Sequence, residues 1–187
     1  MTTNKQKVRA LCEGAVLVAI AQILSYLKLL GNMVNGGSIT LAAFPIALYA
    51  LRWGLGRGLT AAFAFGLLQM IFDGAYAWGW QSMLLDYLVA FTPLGLAGLF
   101  KGKAWGMFPG ILLGNAGRFL IHFISGVTIY RIYEPTEVLN LGTFSDATVY
   151  SLVYNAAYMI PTMVLTIAVA AVLYKPLKKY YAGNDLK

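Results

Sequence analysis

Residues 149–174 read VYSLVYNAAYMIPTMVLTIAVAAVLY and contain no charged side chain. An apolar stretch of about 20 residues is long enough to cross a bilayer as a helix. The chain as a whole has a similar character, because 59% of its 187 residues are hydrophobic and only 11% are charged. Soluble domains carry about 25% charged residues. The composition therefore predicts an all-α integral membrane protein and excludes an ordinary soluble enzyme.

Further apolar segments precede this one, at Gly14–Tyr26, Ile39–Leu51, Leu59–Phe72, Met83–Phe100 and Trp105–Thr128. Together they predict a bundle of six transmembrane helices that forms a single domain over residues 1–187. The second and third segments are short, so we expect flanking residues or irregular chain inside the bundle to complete them. Pro45 is expected to kink the second segment. A basic start before Gly14–Tyr26 is also typical of a signal peptide, with Ala19-Ile20-Ala21 as its cleavage site.

The net charge of +7 suggests at first an anionic partner such as nucleic acid. Most of the 14 basic residues, however, fall on one face when successive connections alternate sides. That face holds Lys5, Lys7, Arg9, Arg52, Arg57, Lys101, Lys103, Lys175, Lys178, Lys179 and Lys187. Lys28 and Arg131 fall on the opposite face. Because basic residues accumulate on the cytoplasmic side, we expect a multi-pass protein of the cell membrane with both termini cytoplasmic and no nucleic-acid partner.

Three ionisable residues lie inside apolar segments, namely Asp86, Arg118 and His122. Such residues are costly in a membrane and usually functional. Arg118 and His122 are four positions apart and share one helix face, and the rise per residue places all three near the outer side. We expect Arg118 to pair with Asp86 or another acceptor, and a purely structural Asp–Arg pair is the alternative. Asp73, at the end of its segment, can reach water.

Aromatic and amide residues surround these charges in the sequence. Tyr76 and Tyr87 flank the fourth segment, and Tyr130, Tyr150 and Asn155 lie around the outer ends of the last two. A carboxylate, aromatic faces and an amide suit a small planar ligand with positive charge. We expect Trp78 and Trp80 to belong to an interfacial aromatic belt.

Several kinds of chemistry are not expected. The single cysteine and single histidine exclude a Cys pair or a His-rich metal site, and Ser125 lacks the G-x-S-x-G context of a hydrolase nucleophile. The chain has no Walker A motif and cannot hydrolyse ATP by that route. The sequence therefore predicts no catalytic residue, no metal and no cofactor in this chain.

Several short motifs carry a family resemblance over nearly the whole chain. They are Gly36-Gly37-Ser38-Ile39-Thr40-Leu41, Pro45, Leu51-Arg52-Trp53-Gly54, Asp73-Gly74-Ala75-Tyr76, Leu85-Asp86-Tyr87, Leu94-Gly95-Leu96-Ala97-Gly98-Leu99-Phe100 and His122-Phe123-Ile124-Ser125-Gly126. With these motifs the sequence resembles the thiamine-specific S component of energy-coupling factor (ECF) vitamin transporters, the ThiT/YuaJ family.

The resemblance implies a six-helix protein that binds thiamine from outside and associates with a transmembrane coupling subunit and two cytoplasmic ATPases, which use ATP. It implies that Asp86, where some members have Glu, contacts the pyrimidine, and that His122 stacks near the thiazolium. The remaining residues implied for thiamine are Tyr76, Tyr87, Arg118, Tyr130, Tyr150 and Asn155. Ala15 and Ala19, spaced for close helix approach, would contact the coupling subunit. The sequence departs from members that carry tryptophan at Tyr130 and in the first outer loop.

Other functions stay open at this point. The same fold could serve another vitamin or precursor, such as hydroxymethylpyrimidine or riboflavin. An intramembrane enzyme acting on lipid would need more membrane-depth acids, or a nucleophile with a base. A channel or an accessory structural subunit would bind no ligand saturably.

Overall fold

The computed structural model describes residues 4–29, 33, 36–73, 79–129, 138, 142 and 144–186. In this part of the chain the regular structure is helical. The helices are α1 (Asn4–Tyr26), α2 (Ala43–Trp53), α3 (Leu55–Phe72), α4 (Trp80–Phe100), α5 (Met107–Thr128) and α6 (Ala147–Tyr181), and a 3₁₀ turn follows at Asn184–Leu186. The predicted all-α fold is confirmed.

Five of these helices are long and apolar enough to cross a membrane, and α2 is the exception in the described residues. All 11 residues of α2 are buried, and a helix of this length is only roughly 17 Å long, against about 30 Å of hydrocarbon. Residues 36–42 before it are irregular. The expectation of irregular chain inside the bundle therefore holds, and of the six predicted helices five are long enough to span while the second, α2, is short and buried.

Two further expectations about the helices need correction. Pro45 does not interrupt α2, because it lies in the first turn, where a backbone N–H has no helical partner to lose. The first helix begins at Asn4, ten residues before the apolar segment at Gly14, since charged residues can extend a helix beyond the apolar part of its sequence. Its buried residues, including Gly14, Val18 and Ala21, recur at helical spacing and form one packed face.

The fourth helix is not a regular α-helix. One α-turn at Trp80–Met83 leads into a π-helical segment at Leu84–Val89, and a 3₁₀ segment follows at Thr92–Phe100. Pro93 has no N–H to continue a helical ladder, so the pattern changes at that point. Gly95 and Gly98 allow the 3₁₀ segment to touch the backbone of the α2–α3 joint. The π-helical segment is the part that carries Asp86 and Tyr87.

An ion-pair network ties together the first and last described turns of the bundle. The Arg52 side chain is 0% exposed, and its Nε lies 2.7 Å from Glu13 Oε2. Its Nη1 and Nη2 donate to the two carboxylate oxygens of Asp185 at 2.6 and 2.7 Å, and Arg9 also pairs with Glu13 and with Asp185. Arg52 is therefore a buried structural residue at the same end of the bundle as Arg9.

We expect Arg52→Leu to lower the free energy of unfolding by about 3 kcal/mol, because it leaves Glu13 and Asp185 without their shared buried partner. The measurement is the thermal unfolding midpoint in detergent, followed by tryptophan fluorescence. Arg57→Leu is the matched control, since Arg57 stacks on the same Trp53 ring as Arg52. Equal losses in both variants would contradict a special role for the network.

Candidate functional site

A polar cavity of about 90 Å³ lies at the end of the bundle opposite the Arg52 network. Residues 36–38, the end of α3, the first half of α4, the C-terminal half of α5 and the start of α6 form its wall. Of the predicted site residues, six line it: Asp86, Tyr87, Arg118, His122, Tyr150 and Asn155. The other two, Tyr76 and Tyr130, lie outside the described residues. The cavity thus brings together every described residue that was predicted to contact the ligand.

The Asp86 carboxylate lies at the centre of the polar groups. Its Oδ2 accepts hydrogen bonds from Ser82 Oγ at 2.7 Å and from Ser125 Oγ at 2.9 Å. Its Oδ1 lies 2.9 Å from His122 Nδ1. Ser82 and Ser125 are buried, so both hydroxyls are dedicated to this carboxylate. Three donors from α4 and α5 therefore replace the water that an exposed carboxylate would bind.

Arg118 takes the second of the two partners expected for it, an acceptor other than Asp86. The residue that pairs with Asp86 in the described chain is His122, and Arg118 Nε points at His122 Nε2 from 3.4 Å. The guanidinium group also lies 4.2 Å from the centroid of the Phe91 ring. Of the two alternatives, Asp86 or another acceptor, the structure has the second, in a hydrogen-bonded series of Arg118, His122 and Asp86. The spacing of four residues placed Arg118 and His122 on one face, but could not say which of them faces α4.

The hydrogen bonds from Arg118 to His122 and from His122 to Asp86 also determine which ring nitrogen of the histidine carries the proton. An arginine Nε–H can only donate, so His122 Nε2 must accept and the ring proton sits on Nδ1, which then donates to Asp86. A neutral histidine in this tautomer satisfies both neighbours at once. Arg118 consequently positions His122, and through it the carboxylate.

Tyrosines of α6 form one wall of the cavity. The rings of Tyr150 and Tyr154 are stacked at 5.7 Å, and Tyr158 follows with its ring 5.7 Å from that of Tyr154. Tyr154 Oη accepts a hydrogen bond from the Gly37 N–H at 3.0 Å, and Tyr158 Oη donates to Asn155 Oδ1 at 3.0 Å. The wall therefore connects α6 with the irregular segment before α2.

Several lining residues were not among the predicted ones. Tyr154 and Tyr158 follow Tyr150 at intervals of four, and this repeat could have identified a shared helix face. Gln69, Asp73 and Ser151 also line the cavity, and Gln69 Nε2 donates to Gln22 and Ser25 of α1 at 2.7 and 2.9 Å. Uncharged polar residues such as Gln69 give no distinctive sequence signal inside an apolar segment.

The remaining expectations concern surfaces and metals. Ala15 and Ala19 are exposed on the outer face of α1, and Trp80 is 67% exposed, as a residue of an interfacial belt would be. Among the described residues, no group of three or more His, Cys, Asp or Glu side chains is arranged to hold a metal ion.

The fold and the cavity define a multi-pass membrane protein with a polar cavity inside its helical bundle. A sequence model of the family "Thiamine transporter protein" (Thia_YuaJ) matches residues 11–182. The chain belongs to this family of thiamine transporters.

Related proteins agree with this assignment. The chain is 33% identical to the thiamine transporter ThiT of Bacillus subtilis, over 93% of this chain and 94% of the relative. It is also 33% identical to the thiamine transporter ThiT of Lacticaseibacillus paracasei, over 100% of this chain and 96% of the relative. The solved structure of ThiT from Listeria monocytogenes superimposes with a TM-score of 0.80 at 22% identity, covering 94% of this chain and 98% of that one. These relatives are named as transporters and not as enzymes.

We expect Gly66→Ala to lower the free energy of unfolding by about 1–3 kcal/mol through overpacking. A Cβ at Gly66 on α3 would lie 2.6 Å from the Tyr87 carbonyl oxygen and 3.2 Å from Phe91 Cβ, directly against the π-helical segment. The thermal unfolding midpoint in detergent measures the effect. Gly56→Ala is the control, because a Cβ there meets nothing within 4 Å. A stability gain at both positions would show that helix propensity outweighs the contact.

Proposed function

We propose that this chain is the high-affinity thiamine-binding S component of an ECF-type importer and is not itself an enzyme. It captures thiamine from outside in the cavity described above and delivers it through a coupling module driven by ATPases. Family membership supports thiamine as the transported ligand. The observation that carries the proposal for this cavity is the partly buried Asp86 carboxylate, held by Ser82, Ser125 and His122 beside a tyrosine wall.

The cavity chemistry matches the two rings of thiamine. A carboxylate offers about four acceptor positions, and three of those on Asp86 are filled by protein donors. The position that remains can accept a hydrogen bond from the amino group of the pyrimidine. Because Asp is one methylene shorter than the Glu of some members, the ligand or α4 must lie closer.

The aromatic residues suit the other ring. Thiazolium carries a fixed positive charge, and the faces of aromatic rings attract cations. Tyr87, Tyr150 and His122 line the cavity and provide such faces, and Tyr76 and Tyr130 are proposed to complete the set. The Asn155 amide adds hydrogen-bonding capacity at the same wall. Arg118 binds no part of the cation in this scheme and instead orients His122.

The orientation follows from the distribution of charge. Basic residues Lys175, Lys178 and Lys179 lie at the end of α6, opposite the cavity, which the start of α6 lines. Applying the positive-inside rule, we propose that this end is cytoplasmic, with both termini, and that the cavity lies near the outer face.

The coupling partners are assigned to the outer surface of α1. Ala15 and Ala19 are exposed there, and small residues at this spacing let another helix approach closely in lipid. We propose that a transmembrane coupling subunit packs on this face and that two cytoplasmic ATPases complete the transporter. The lipid bilayer surrounds the remaining surface.

We expect Asp86→Asn to weaken thiamine binding by about 2–4 kcal/mol, because a charge-assisted hydrogen bond is lost in a desolvated site. Calorimetry on the purified protein measures the affinity, with hydroxymethylpyrimidine and riboflavin as competing ligands. Asp146→Asn is the control, since Asp146 caps α6 by accepting from the Thr148 and Val149 N–H groups and does not line the cavity. Unchanged affinity in Asp86→Asn would remove Asp86 from the site, and a preference for another ligand would replace thiamine.

We expect the double variant Ala15→Leu, Ala19→Leu to lose the coupling subunit while it keeps its affinity for thiamine. Larger side chains on this face prevent close helix contact, but the cavity lies elsewhere. Co-purification with the coupling subunit and ATPases, together with thiamine uptake by cells, gives the result. Ala168→Leu with Ala171→Leu is the control on the exposed side of α6. Normal assembly of the α1 variant would place the partner on another surface.

A further inference from the structure

The cavity contains a second carboxylate, Asp73, at the end of α3. Its side chain is 33% exposed, compared with 20% for Asp86. Asp73 Oδ1 lies 3.5 Å from Lys28 Nζ, and the Tyr87 hydroxyl donates to Oδ2, also at 3.5 Å. Asp73 is therefore at the mouth of the cavity, between a lysine of the α1–α2 connection and a tyrosine of the predicted site.

The two carboxylates are held very differently. The contacts of Asp86 are short, between 2.7 and 2.9 Å, whereas both contacts of Asp73 are at the long limit of hydrogen-bond distances. Short hydrogen bonds to buried donors keep Asp86 in place. Long contacts at a partly exposed position allow Asp73 to exchange one partner for another at little cost.

The net charge of the cavity explains why such an exchange would matter for a cationic ligand. Among the described residues, the charged ones that line the cavity are Asp73, Asp86 and Arg118, so Arg118 offsets one carboxylate and the other remains for a cationic ligand. With Lys28 bound to Asp73, this remaining charge is neutralised. A ligand with a fixed positive charge would then enter a site with no net attraction, which is unfavourable when water is displaced.

We propose that Asp73 is the residue that selects for the positive charge of the ligand, and that the bound cation replaces Lys28 at this carboxylate. The inference rests on the proposed function, because it assigns the charge of thiamine to Asp73 and leaves the aminopyrimidine to Asp86. Ligand binding thereby releases Lys28. The neighbouring Leu29 N–H donates a hydrogen bond to the Ile39 carbonyl at 3.1 Å. Movement of Lys28 would therefore act on the chain next to residues 36–38 of the cavity wall.

The test compares thiamine with its neutral isostere, in which a carbon replaces the quaternary nitrogen. Calorimetry is carried out on the wild type, Asp73→Asn, Lys28→Met and the double variant. Asp73→Asn should weaken thiamine binding by about tenfold and leave the isostere almost unchanged. Asp86→Asn should weaken both ligands, because both carry the aminopyrimidine. Asp146→Asn is the control for loss of one carboxylate at the same end of the bundle.

Lys28→Met should tighten thiamine binding severalfold, but only when Asp73 is present. An interaction of this kind appears as non-additivity in the double-mutant cycle. If Lys28→Met strengthens binding equally in the Asp73→Asn background, the effect is long-range repulsion and the exchange is refuted. Equal losses of thiamine and isostere in Asp73→Asn would also overturn the proposal. Failure of the wild type to bind thiamine would instead reject the proposed function.

Discussion

A carboxylate among membrane-spanning helices must have its oxygens satisfied by the protein, because the hydrocarbon around it offers no water. Asp86 meets this requirement with Ser82 from its own helix and with Ser125 and His122 from α5. The same bonds that satisfy the charge therefore fix α4 against α5. Arg118 extends the set by holding the histidine in one tautomer. The packing of α4 on α5 and the proposed ligand recognition thus depend on one group of side chains.

Two irregular parts of the backbone lie at this group. The π-helical segment Leu84–Val89 carries Asp86, and the non-helical residues 36–38 face it across the cavity. Non-helical backbone at membrane depth is tolerated only where protein or a water-filled cavity surrounds it. π-Helical turns in other proteins are frequent at functional sites. In this bundle the π-helical segment and the non-helical residues 36–38 mark the cavity, while the opposite end, which includes the 3₁₀ turn Asn184–Leu186, is held by ion pairs.

Composition and charge placement predicted the helical membrane fold, because apolar length is a strong signal in a bilayer. Rarity of charge in the segments likewise identified Asp86, Arg118 and His122 as neighbours. The sequence could not reveal that His122 lies between Arg118 and Asp86, because the rotation of α5 about its own axis relative to α4 depends on packing. The sequence also could not predict the π-helical segment, because a wider turn leaves no periodic pattern. Nor could it predict the hydrogen bond of Ser125, because a single hydroxyl gives no distinctive signal. Tyr76 and Tyr130 stay predictions.

The Arg52 network has a mechanical consequence for the whole bundle. Gln6 Nε2 donates to the Leu186 carbonyl oxygen at 2.9 Å, and Asp185 binds both Arg9 and Arg52. The first and last described turns are thus joined, and the path of the chain is closed into a ring by non-covalent bonds. A force applied to α1 passes directly to α6 through this junction. If the bundle tilts against a neighbouring protein, α1 and α6 would accordingly move together as one rigid unit.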